Sequence, residues 1–323
     1  MHSSIYIFLA PSLYTLAIAQ TNKRGIAYLG DTHKSDNNLL LRDGSPLSWY
    51  YNWSPYPSTA QIPSSELEFA PLIHGIDGAE DSATKNAING LPSSSQHLLS
   101  FNEPDGEKDT GGSSISPEDA AKAYIDHIAP YRSGNSRNWK ISHPSVTGSP
   151  RGLEWLRDFN TSCYSIDEEN GCPTDFIAAH WYGAFDGLKG WLASLDEFYN
   201  GNKTDGEEKL KIWVTEMALP QQDAEATVAM MNETLPYLDG LEYVERYAWF
   251  GAFRSKDANE WTGDGVALFE DDGSLTELGA LYLNGKKGEK GQGDDEGAAN
   301  GLRADSGLMM SLVIGIVALV GFW

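Results

Sequence analysis

Two glutamates in this sequence stand where an apolar run stops: Glu103 within Phe101-Asn102-Glu103-Pro104, and Glu216 within Trp213-Val214-Thr215-Glu216-Met217. A pair of carboxyl groups supports acid and nucleophilic chemistry together, because one can hold a proton while the other stays charged. Cleavage of a glycosidic bond with retention needs that division, an acid for the leaving oxygen and a carboxylate for the anomeric carbon, about 5–5.5 Å apart. Asn52, Trp53, Asn102, His180, Trp181, Tyr182 and Trp249 stand at or beside the ends of such apolar runs. Two acids ringed by aromatic faces and hydrogen-bonding groups form the inventory of a sugar site. These residues are expected to contact substrate, with His180 and Tyr182 also orienting Glu216. Each has an ordinary structural use as well. Asn and Pro are common where a strand turns into a loop, His180 suits a hydrogen-bonded core, and Trp181 and Trp249 suit packing between strands and helices. Strand alternation sends Trp213 and Thr215 to that same outer side.

Positioning two acids from distant stretches of chain requires a scaffold. Eight apolar runs, 25–29, 47–52, 69–74, 97–101, 139–143, 176–182, 210–215 and 246–250, read as strands buried on both faces. Helical patterns fall between those of the second half, and after the first three strands only 79–88 reads as a helix. Ser116-Pro117-Glu118-Asp119 supplies an N-cap, a first-turn proline and two first-turn acids for a helix reaching about Tyr131. Further helices are expected over 79–88, 152–159, 188–199, 224–238 and 275–283. Alternating strand and helix implies a parallel sheet, and eight such units close into an α/β fold, the (β/α)8 TIM barrel, with one catalytic domain over residues 20–283. Strands four and seven then lie on roughly opposite walls, so Glu103 and Glu216 can meet across the mouth. A doubly wound open sheet is the alternative, but no Gly-rich phosphate loop follows the first strand.

The ends read as processing segments. Residues 1–19 resemble a signal peptide, closing in Ala17-Ile18-Ala19, although the n-region carries only His2. Residues 284–297 are rich in Gly, Lys, Asp and Glu and are expected to form a disordered stalk, so that a cut after Gly285 leaves a soluble domain. Residues 298–323 read as a removed GPI-anchor signal, with attachment at Gly297. Small residues and a polar spacer precede an uncharged tail, 308–323, that is short for the roughly 17–25 residues of a spanning helix. A single-pass helix is the other reading. The protein is therefore expected to be secreted, anchored at the cell surface or wall, and monomeric. Outside the cell the two cysteines, Cys163 and Cys172, are expected to pair. Asn160, Asn202 and Asn232 begin glycosylation sequons expected on surface loops, while Asn52 begins one that Pro55 should block. A formal charge of −23 argues against nucleic acid as a partner and is neutral toward a glycan.

Taken together, Arg24-Gly25-Ile26-Ala27-Tyr28, Trp49-Tyr50-Tyr51-Asn52-Trp53, Phe101-Asn102-Glu103-Pro104, His180-Trp181-Tyr182, Trp213-Val214-Thr215-Glu216 and Tyr247-Ala248-Trp249-Phe250 resemble the fungal glycosyl hydrolases of the alkali-sensitive-linkage type, glycoside hydrolase family 128. The resemblance runs from about Arg24 to Leu283. It implies β-1,3-glucan as substrate, Glu103 as acid/base, Glu216 as nucleophile, Asn102 as a partner of the sugar 2-hydroxyl, and no metal or organic cofactor. Three functions stay open at this point: a wall-remodelling retaining β-1,3-glucanase with or without transglycosylation, a glycanase on another β-glycan, and a non-catalytic β-glucan-binding wall protein.

Overall fold

The computed structural model describes residues 23–29, 33–59, 61–134, 137–204 and 206–291. Each expected apolar run contributes a strand: β1 (Arg24–Tyr28), β2 (Leu47–Tyr51), β3 (Glu68–Phe69), β4 (His97–Leu98), β5 (Lys140–Ile141), β6 (Phe176–Tyr182), β7 (Lys211–Ala218) and β8 (Val244–Ala252). The strands pair in parallel in the order β3-β2-β1-β8-β7-β6, with β4-β5 as a second pair. Parallel bridges from Leu72 to Leu99 and from Ser142 to Phe176 join the two sheets. The cylinder therefore closes. Because β1 pairs with β8, the fold is a (β/α)8 barrel and not an open doubly wound sheet.

Around the barrel lie α1 (Lys34–Leu40), α2 (Ile76–Glu80), α3 (Ser82–Gly90), α4 (Pro117–Ala123), α5 (Pro150–Ile166), α6 (Phe185–Asn200), α7 (Ala224–Gly240) and α8 (Glu277–Tyr282). Among the described residues no helix is long and apolar enough to cross a membrane. The expected helix over 79–88 is two helices, because the Asp81 carboxylate accepts from Ala83 and Thr84 N–H and starts a new one. The helix opened by Ser116 stays α-helical only to Ala123, then loosens into a π turn over 124–128 and a 3-10 turn over 129–132. Pro130 offers no N–H to continue an α ladder. Helix α5 runs past the expected end at 159 to Ile166 and carries Cys163, which is disulfide-bonded to Cys172. Asn160 and Asn232 are exposed on α5 and α7 and not in loops, whereas Asn202 lies in the turn after α6. The expected signal peptide and Gly297 lie outside the described residues.

Residues 284–291, read from composition as the start of a stalk, are held against the barrel. Glu289 pairs with Arg42 at 2.8 Å, its carbonyl accepts the N–H of buried Leu275, and Lys290 bridges to Ser274. A run of Gly and charge that cannot build a core can still be held by partners distant in sequence. A cut after Gly285 strips these contacts and orphans the Leu275 N–H. It should lower the melting temperature on the order of 5 °C, whereas a cut after Gly291 should leave it unchanged. Equal melting of the two truncations would show that residues 286–291 do not belong to the folded domain.

Candidate active site

The barrel interior is built in two storeys. In the lower one, Trp213 packs against Phe176, His97 and Trp49, with ring centroids 4.4, 4.6 and 4.9 Å away. Arg246 lies over its ring and pairs with Glu68 at 2.6 Å. These groups come from β2, β3, β4, β6, β7 and β8, so they can meet only inside the cylinder. They fill its lower part and form the floor of the site. Trp213 is thus turned inward, where simple alternation sent it outward.

Above that floor, Glu216 also faces inward, three residues after Trp213. A period of two cannot place both on one face. The difference is a β-bulge: Ala179 pairs with Val214 but His180 pairs with Glu216, so Thr215 is the extra residue and the phase inverts behind it. Glu216 Oε1 accepts from Tyr51 Oη at 2.9 Å and from the Trp53 indole Nε1 at 2.8 Å, and Oε2 accepts from Tyr182 Oη at 2.6 Å. Glu103 lies across the mouth, its Oε1 2.8 Å from His180 Nδ1. His180 Nε2 stands 3.5 Å from Glu216 Oε1. One atom from each of Glu103, His180 and Glu216 lies within 4.8 Å of the others, and all three side chains are at most 2 % exposed.

Two backbone conformations aim this chemistry. Trp53 (φ 56°) and Glu103 (φ 38°) both occupy the left-handed region, which non-glycine residues rarely adopt. At Glu103 the turn is held on both sides: its N–H donates to Ser145 O at 2.7 Å, and its carbonyl accepts from Gly106 at 2.9 Å.

The electrostatics divide the two acids. Burial pushes the Glu103 carboxyl up, the neighbouring His180 pulls it down and Glu216 raises it again, leaving it at about 7. Burial disfavours the charged imidazole of His180, yet Glu216 and Glu103 hold it above its ordinary value. Burial, then Glu216, lift the Tyr51 and Tyr182 phenols far above theirs, so both remain protonated donors. Glu216 is therefore braced by three neutral donors, while Glu103 shares a hydrogen bond with an imidazole.

The remaining candidates separate by strand phase. Asn102 is buried beside Glu103, with Nδ2 on Gly111 O at 3.1 Å and Oδ1 without a protein partner. Asn52 uses its Nδ2 on Tyr56 O at 2.9 Å, bracing the loop after β2. Trp181 faces away from His180 and Tyr182, its Nε1 on Ala184 O and its ring against Gly148 and Gly187. Trp249 is fully buried on the outer side, its indole donating to Val266 O at 2.9 Å. Neither indole reaches the glutamates, because β6 and β8 alternate and each tryptophan sits one residue out of phase with the mouth. Phe250 takes that place, 5.9 Å from both Trp53 and Tyr182. Sequence reasoning missed Tyr51 and Phe250. Stepping by two from Trp53 back to Tyr51 and Trp49 would have found the first.

The sequence profile of the glycosyl hydrolase catalytic core matches residues 25–282. The crystal structure of a curdlan-specific exo-β-1,3-glucanase of family 128, subgroup III, from Blastomyces gilchristii, in complex with glucose, is 30 % identical. The match covers 81 % of this chain and 97 % of that one, with a TM-score of 0.59. The chain belongs to glycoside hydrolase family 128. Another family 128 structure, an endo-β-1,3-glucanase of subgroup IV from Lentinula edodes, is 25 % identical over 82 % of this chain and 100 % of that one, with a TM-score of 0.62. Alkali-sensitive linkage protein 1 of Schizosaccharomyces pombe is 29 % identical over 273 residues, 82 % of this chain but 45 % of that protein. The chain thus spans less than half the length of that relative. Within the family 128 barrel described here, Glu103 and Glu216 form the pair of facing carboxyl groups at the mouth.

Proposed function

We propose that the protein is a retaining β-1,3-glucanase that acts outside the cell on wall β-glucan through a covalent glycosyl-enzyme. The observation that carries this reading is the approach of Glu103 and Glu216 to within 4.8 Å, with unequal partners. That separation favours retention, since inversion leaves roughly 6.5–9.5 Å for a water between the carboxyl groups. In the first step Glu103 gives its proton to the glycosidic oxygen while a Glu216 oxygen attacks C1, and the C1–oxygen bond to the leaving sugar breaks. In the second, Glu103, now a carboxylate, takes a proton from water as water attacks C1 and releases Glu216. A second glucan hydroxyl in place of that water gives transglycosylation.

The β-1,3 linkage is supported by the named activities of the family 128 relatives. Product analysis with defined β-1,3, β-1,4 and β-1,6 oligosaccharides tests it. Hydrolysis of the β-1,3 series with a β-configured first product is expected. Release from β-1,4 but not β-1,3 chains would overturn the substrate, and an α-configured product would overturn retention.

A further inference from the structure

One buried carboxylate near the mouth has no part in that scheme. Asp105 follows Glu103 by two residues, and its side chain is 1 % exposed. Its Oδ1 accepts the N–H of Thr147 at 3.0 Å and its Oδ2 the Thr147 hydroxyl, which in turn lies 3.0 Å from Ser149 Oγ. Thr147 belongs to a segment that touches both partners of the Glu103–His180 hydrogen bond. Ser145 O accepts the Glu103 N–H, Val146 bridges to Ala179 on β6, and a side chain at Gly148 would strike the His180 carbonyl at 2.6 Å. The turn of Pro104 and Asp105 is closed by the Gly106 N–H on Glu103 O. Asp105 therefore fastens the strained turn that presents Glu103 to the segment that fixes β6 at His180.

We propose that Asp105 is a positioning residue for the acid: its buried carboxylate clamps the Glu103 turn to residues 145–149 and places a further negative charge beside the Glu103–His180 pair. This rests on the assignment of Glu103 as the acid. The charged and titratable groups around Glu103 are His180 and Tyr182 from β6, Glu216 from β7, Tyr51 from β2 and Asp105 on its own turn. Arg151, at the start of α5, stands 3.7 Å from Asp105 Oδ2 but is half exposed, so water screens much of its charge. A buried anion next to a carboxyl group favours its protonated form, and Asp105 raises the proton affinity of both Glu103 and His180.

Asp105→Asn keeps the shape and an acceptor for the Thr147 N–H while removing the charge. With a β-1,3-glucan oligosaccharide, the alkaline limb of kcat/KM should move on the order of one pH unit toward acid, with KM changed less than about twofold. Arg151→Gln, an exposed change that threatens no fold, should move the limb the other way by a few tenths of a unit. Glu103→Gln is the control for the underlying assignment: if its residual activity keeps the wild-type limb, that assignment fails and not the clamp. If the limb is absent in Glu103→Gln yet stays in place in a folded Asp105→Asn, the proposal is overturned. Should Asp105→Asn not fold, an unmoved limb in Arg151→Gln overturns it equally.

Discussion

Glu216→Ala is expected to reduce turnover of every β-1,3-glucan substrate on the order of 10⁵-fold, because in the proposed mechanism no other group stands where the nucleophile does. The variant leaves Tyr51, Trp53 and Tyr182 as three donors lining the space of the lost carboxylate. A small anion suits that space. Added azide should restore turnover of an activated aryl β-glucoside or laminaribioside, attacking C1 opposite the leaving group and giving the inverted α-glycosyl azide. The anomeric proton in the NMR spectrum of the product reports the configuration. A β-azide from this variant would place the nucleophile elsewhere and exchange the roles of the two glutamates.

Glu103→Ala should behave differently in three measurable ways. On glucan, whose leaving sugar needs a proton, loss of roughly 10³- to 10⁴-fold is expected. On an aryl glycoside with a stable phenolate the glycosyl-enzyme should still form and then stall, giving a burst followed by a slow steady state, since no base activates water. Azide needs no base, so it should restore turnover with retained configuration. The wild-type pH profile carries the same assignment. As the proposed acid, Glu103 works in its protonated form, and burial holds its carboxyl at about 7, so kcat/KM on glucan should fall as pH rises through that value. Wild-type activity on glucan that persists undiminished to pH 9 would sink the role given to Glu103.

Much of the architecture was legible before any tertiary information. Eight apolar runs with helical patterns between them point to a parallel sheet covered on both faces, and the pairing of β1 with β8 closes it into a barrel. The C-terminal edges of such strands are where side chains leave the packed interior, and the coincidence of two acids at such edges in a Trp-rich chain points to Glu103 and Glu216. Two cysteines in one chain leave a single internal pairing, and the disulfide joins them. Direction of side chains was not legible. It depends on strand phase, and one extra residue inverts phase: Thr215 turns Glu216 to the same side as Trp213. The same sensitivity put Trp249 against Val266 and left the mouth to Phe250. The left-handed turns at Trp53 and Glu103 leave no mark in residue type, because a surrounding frame imposes them against local preference. Residues 286–291 make the same point at the edge of the domain, where Arg42 and Leu275, far away in sequence, hold a stretch whose composition promises nothing. Composition and periodicity thus determine which elements exist and which acids reach their ends, because burial of apolar surface is local in pattern. Which atoms face one another is decided only by closure of the barrel, where each strand's phase is set by its neighbours.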